Sequence, residues 1–171
     1  MKKTLILSFI FSVFFYSQSL AQNSKSGKIG IGYSGIFTSS TNDFNLSFWL
    51  GERFILEPQF GFQHIDVDDN KGTNWKLGVG ALFVLNDFDV TPYLGGRIKT
   101  ILLSGGEKTY NDLVLSFVFG GEYFVSEWFS VGAEMRLNYI STDKDFSPAY
   151  SIADATIIQS EQVINIKIYL K

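Results

Sequence analysis

Alternation of apolar with polar or small residues, one residue in two, recurs eight times between Lys28 and Lys171. No segment after Gln22 carries a convincing helical period instead. In a strand, successive side chains point to opposite faces, so each such segment has one apolar face. The first, "KIGIGYSGIF", puts Ile29, Ile31, Tyr33 and Phe37 on that face; "FNLSFWL" puts Phe44, Leu46, Phe48 and Leu50 there. "FILEPQFGFQHI" carries Phe54, Leu56, Pro58, Phe60 and Phe62, and "NWKLGVGALFVL" carries Trp75, Leu77, Val79, Ala81, Phe83 and Leu85. "TPYLGGRIKTILL" is weaker, with Leu94, Ile98 and Leu102, whereas "LVLSFVFGGEYF" shows Leu113, Leu115, Phe117, Phe119 and Tyr123. "FSVGAEMRLNYI" shows Phe129 to Tyr139 at every second position, and "INIKIYLK" closes with Ile164, Ile166, Ile168 and Leu170. Most segments are about ten residues long, the length a tilted strand needs to cross a bilayer.

The connections are predicted to alternate in length. "GER" around Glu52, "NDFD" around Asp87 and "SEW" around Glu127 read as tight turns, and Thr38–Asp43, Asp66–Thr73, Ser104–Asp112 and Ser141–Glu161 as longer polar loops. Short turns at one end and long loops at the other suit an up-and-down barrel across an outer membrane. Pro58 and Pro92 fall early in their strands, where a missing ladder donor costs least. The predicted fold class is all-β: an eight-stranded antiparallel up-and-down transmembrane β-barrel over residues 28–171.

What precedes the barrel reads as an export signal. Lys2 and Lys3 are followed by an apolar run from Leu5 to Phe15, and Ser19-Leu20-Ala21 offers small residues where a signal peptidase cuts. Residues 1–21 are therefore expected to be a cleaved signal peptide, with 22–27 a short N-terminal segment. Cleavage removes two lysines and no acid, taking the formal net charge from −3 to −5. A mildly acidic exported chain is a poor partner for nucleic acid. It has no cysteine, hence neither a disulfide nor a lipid-anchored cysteine after the signal.

Alternation alone does not tell a membrane barrel from a soluble lipocalin-like binding barrel, whose apolar face lines its cavity. The opposite face decides. It carries Gly30, Gly32, Gly61, Gly78, Gly80, Gly95, Gly120 and Gly132, interleaved with Glu57, Lys76, Arg97, Lys99, Glu122, Glu134, Arg136 and Lys167. Glycine weakens a water-facing strand but leaves room inside a narrow barrel. The charged face is therefore expected inside and the apolar face in lipid. Trp75 and Tyr139 near the loops, with Tyr123 and Phe129 near the turns, are expected as interface aromatics. Arg97, Glu122, Glu134, Arg136 and Lys167 are expected to form one interior charge cluster, because an unpaired buried carboxylate is costly.

"LEPQFGFQH", "TPYLGGRI" and "WFSVGAEMRLNY" resemble the strand phrases of the outer-membrane protein A/X-type β-barrel superfamily, over essentially all of 28–171. The resemblance implies a Gram-negative outer membrane, contact with its lipid and lipopolysaccharide, insertion by the barrel assembly machinery and a monomeric chain. It also implies a terminal aromatic as assembly signal, from which Tyr169-Leu170-Lys171 departs. A structural or surface-interaction role is expected, with no enzymatic activity, cofactor or metal; the surface partner is unknown.

The competing signals are weak. His64, the single histidine, stands in His64-Ile65-Asp66 with no serine beside it, which argues against a lipid-processing triad. "DVDDNKG" begins like a calcium loop, but Lys71 and Leu77 occupy the positions where glycine and glutamate are needed. The 141–161 loop, with Phe146, Pro148, Tyr150 and Ile152, is either a functional loop or an extension of its flanking strands. The interior charges are expected to plug the lumen, the alternative being a narrow channel, because eight strands enclose little more than their own side chains.

Overall fold

The computed structural model describes residues 25–36, 39–67, 70–86, 90–105, 108–145, 147 and 152–170. The expected signal peptide and the middle of "DVDDNKG" lie outside them. Eight strands follow in chain order: β1 Ile29–Ile36, β2 Ser39–Trp49, β3 Phe54–Val67, β4 Asn70–Val84, β5 Val90–Gly105, β6 Lys108–Ser126, β7 Phe129–Ser141 and β8 Thr156–Leu170. Each pairs antiparallel with its sequence neighbour, and β1 pairs with β8 to close the barrel.

The stagger of that closure sets what lies level with what. Gly32 pairs with Lys167 across the β1–β8 seam. Followed the other way round, the row from Gly32 passes through Asn45, Gln59, Gly78, Lys99, Val114 and Ile140 to reach β8 at Ile157. It arrives ten residues short of Lys167, so each ladder row climbs steeply around the wall.

The facing follows the alternation strand by strand. Residues of β7 alternate without a break between buried and exposed from Ser130 to Ser141. The exposed set is Ile, Leu, Val and Phe from every strand, including Ile31, Phe44, Phe60, Leu77, Ile98, Phe117, Leu137 and Ile168. The buried set includes Glu57, Lys76, Arg97, Glu122, Glu134, Arg136 and Lys167. Charge is inside and hydrocarbon outside, the reverse of a water-soluble barrel.

Three of the four expected long loops are strand. β1 and β2 leave only 37–38 between them, β3 and β4 only 68–69, and β5 and β6 only 106–107. Polarity in these stretches signals that the outer face has left the apolar belt, whereas the ladder that satisfies the backbone continues. Trp75 accordingly lies well inside β4, opposite Phe62 and Leu102, and does not begin it. The fourth connection, 142–155, lies outside the strands in its described part, and β8 starts at Thr156.

Proline marks a gap in the β2–β3 ladder, apart from the register shifts at Ser34/Ile36 and Phe124/Ser126 elsewhere. β2 and β3 pair at Phe44↔Phe60, Asn45↔Gln59, Phe48↔Leu56 and Trp49↔Ile55, skipping Pro58 and its neighbour Glu57. Pro58 has no N–H to donate. A side-chain bond from Ser47 Oγ to Glu57 Oε1, at 2.7 Å, joins the two strands across the gap.

Candidate functional site

Among the described residues, the interior gathers the largest set of ion pairs. Arg97 on β5 is its centre. Its guanidinium donates to both oxygens of Glu134, Nη2 to Oε1 at 2.7 Å and Nη1 to Oε2 at 3.2 Å, a forked pairing that only arginine can make. The same Nη2 donates to Glu57 Oε2 at 2.6 Å. Glu134 also accepts from Arg136 Nε at 2.8 Å and from the Tyr93 hydroxyl at 2.9 Å. Glu57 accepts a second cation, Lys167 Nζ, at 2.6 Å. Lys167 reaches on to Glu122 Oε2 at 3.2 Å, and Glu122 Oε1 accepts from Tyr169 at 2.5 Å and from Ser130 Oγ.

The network therefore runs Arg136–Glu134–Arg97–Glu57–Lys167–Glu122 across β7, β5, β3, β8 and β6. All five expected members belong to it, but they do not form one cluster by themselves. Without Glu57 they fall apart into Arg97, Glu134 and Arg136 on one side and Lys167 with Glu122 on the other. Glu57 was the missed residue, and charge balance is the signal that finds it. Three cations faced two carboxylates in the expected set, and Glu57 is the inward acid that neutralises the remainder. Its side chain is completely buried. Uncompensated charge in such a place costs several kcal/mol, so neutrality is close to a requirement.

Beneath this network, towards the short turns, the lumen is filled with rings. Trp49, Tyr93 and Tyr169 are buried together with Ile55, Leu82, Val84 and Val118, and Phe124 packs against them. Trp49 Nε1 donates to the Tyr169 hydroxyl at 3.5 Å, and the Phe124 and Tyr169 rings lie 5.3 Å apart. Lys25 sits across this floor from outside, its ammonium 4.4 Å from the centre of Phe124 and 2.9 Å from Thr91 Oγ1. Large inward rings need small neighbours: a Cβ on Gly30 would meet the Tyr169 ring at 2.7 Å, and one on Gly120 the Tyr93 ring at 2.9 Å.

Above the network the lining becomes looser. Lys99 pairs with Asp43 at 3.0 Å, and Asn45, Ser34 and Asn165 form a hydrogen-bonded chain. Higher still, Ile101, Val114 and Ile140 cluster with Tyr110 and Ile157. The 142–155 loop is tied to this rim: buried Asp112 accepts from Ser147 Oγ at 2.5 Å and from the Asp143 amide at 2.9 Å. Thr142 and Ala155 bond to each other at the loop's base.

The expected interface aromatics all lie on the outer wall. Trp75, Tyr139 and Tyr123 are exposed there, and Phe129 is half-buried beside Trp128. Trp75 packs with Phe60 and Phe62 in a three-ring cluster. His64 pairs with Thr73 in the backbone register, beyond this cluster; its side chain is outside the described residues. No group of three His, Cys, Asp or Glu among the described residues is placed to hold a metal. As chemistry, the interior is a set of mutually neutralised charges on an aromatic floor.

No model of a known protein family matches the sequence, and no curated protein matches it. Among solved structures, the barrel is similar to the crystal structure of Neisserial surface protein A, NspA, with a TM-score of 0.47 and 13% identity over 83% of this chain and 89% of that one. It is also similar to Ail, the attachment invasion locus protein of Yersinia pestis, with a TM-score of 0.42 and 11% identity over 84% of this chain and 94% of the other.

Proposed function

We propose that this chain is a small integral β-barrel of a Gram-negative outer membrane, with a structural or surface-interaction role and a lumen closed by its own side chains. The observation that carries the membrane part is the continuous apolar outer wall. Water would penalise the exposure of so many large hydrocarbon side chains around all eight strands, and lipid would not. The closed lumen rests on the salt-bridge network lying over the ring-filled floor. A surface role rests on the upper hairpins and on the loop that Asp112 fastens to the rim, since rigidly mounted loops are where binding sits. Outer-membrane lipid and lipopolysaccharide are its surroundings on this reading, and the barrel assembly machinery its route of insertion.

Cell fractionation tests the proposal. The chain should stay with outer membranes through a carbonate wash, and release into the soluble fraction would refute it. The closed lumen has its own test in planar bilayers, where purified protein should give no large steady conductance; porin-like currents that survive purification would show a pore in place of a plug.

A further inference from the structure

On the membrane reading just proposed, the outer wall should be evenly convex, but it carries a trough of about 760 Å³. The floor is made by Ala81 on β4 and Gly96 on β5, which pair directly. The sides are Ile98, Phe117 and Leu137, and Tyr139, two residues below the end of β7, stands at the upper end.

The trough exists because Gly96 has no side chain, and the fold does not require that. Its neighbour Gly95 faces inward, where a Cβ would collide with the Ala81 carbonyl oxygen and come within 2.8 Å of Leu82 Cα. At Gly96 an added Cβ meets nothing nearer than the Ser116 carbonyl oxygen, at 3.6 Å. Nor does its cross-strand partner cover the gap, since no ring atom of Phe117 comes within 4 Å of that Cβ. Glycine in a strand interior is unfavourable, and where packing does not demand it, it marks a place that another molecule approaches closely.

We infer that this trough is a binding site for one hydrocarbon chain of a membrane lipid. The outward side chains around it are apolar, and Arg97, Ser116 and Asn138, which also border it, have the inward parity. Ala81 and Gly96 share a ladder row with Phe117 and Leu137, and Tyr139 lies two residues nearer the looped end. An acyl chain entering from the looped side would lie along the trough with its ester end near the tyrosine, an amphipathic ring suited to that boundary. A second copy of the barrel fits less well. Stable protein pairs bury about 800 Å² on each partner, whereas two convex walls meet along a line and a trough one chain wide adds little to that.

Native mass spectrometry of the full chain ejected from nanodiscs of dimyristoylphosphatidylcholine tests the inference. The unsubstituted protein should retain one lipid. Gly96→Val, and independently Ala81→Leu on the adjacent strand, should lower that retention about tenfold, the effect of excluding roughly two methylenes from apolar contact. Each variant's folded state is checked by its unheated gel mobility, so loss of one variant leaves the other as the test. Equal retention by the parent and a folded variant would overturn the site, as would a dimer that the same substitutions abolish. Failure of the parent chain to enter nanodiscs at all would overturn the membrane reading itself, and is seen before any lipid is counted.

Discussion

The lower and upper halves of the lumen solve the problem of buried polarity differently. In the lower half each carboxylate has at least two donors: Glu134 takes Arg97, Arg136 and Tyr93, Glu57 takes Arg97, Lys167 and Ser47, and Glu122 takes Lys167, Tyr169 and Ser130. In the upper half Asp43 and Lys99 make a single pair, and buried Lys76 draws its charge compensation from Asp43 and Glu161 nearby. Asn45 Oδ1, Gln59 Nε2, Asn138 Oδ1 and Asn165 Nδ2 are buried there without a protein partner. The difference follows distance from bulk water. Charges over a sealed aromatic floor have only each other, so every carboxylate there is paired, although Arg97 Nε and Arg136 Nη2 stay buried without a partner. Towards the looped end Asp43 and Lys76 are almost as buried and only Lys99 is partly open, so the looser pairing there rests on room for water between the side chains.

This contrast predicts a gradient of mutational cost. Glu57→Gln should be the most damaging single change, because it leaves a net positive charge sealed in the lower half. The expected loss is about 3–5 kcal/mol, read from urea unfolding of the barrel in lipid vesicles. Arg136→Met upsets the same balance with the opposite sign and should cost about 3 kcal/mol, the low end of that range, because Glu134 keeps the forked Arg97. Lys99→Met, in the upper half, should cost about 1–2 kcal/mol, less than Glu57→Gln because Lys99 is itself partly open, yet measurable because it leaves Asp43 buried without its partner. A Lys99 effect as large as that of Glu57 would remove the distinction between the two halves.

The ease with which these features can be seen in the sequence varies for physical reasons. A period of two with charge and glycine on one side fixes the direction of each side chain, so the inward parity of Trp49, Glu57, Arg97 and Lys167 is legible residue by residue. Height in the barrel is not. Position along a strand does not give it, because the ladder climbs around the wall, and for that reason Glu57, although facing inward, falls outside the expected cluster. Loop boundaries are blurred for a related reason. Asp66 and Thr73 look like loop residues, yet their backbones remain in the ladder, opposite Lys71 and His64. The aromatic floor was hidden by the pattern itself, since Tyr93, Phe124 and Tyr169 occupy the parity otherwise given to glycine and charge.

The central claim is that the apolar wall faces lipid and the charged wall does not. Trp75 and Trp49 report on it directly, being 44% and 1% exposed on opposite sides of the same barrel. In single-tryptophan variants refolded into vesicles, lipids brominated along their acyl chains quench only the indoles they can touch. Trp75 should be quenched substantially, and Trp49, enclosed with Phe124 and Tyr169, hardly at all. Equal quenching of the two would contradict the strand register, because a slip of one residue exchanges the faces. Absence of bilayer-dependent quenching at Trp75 would contradict the membrane barrel.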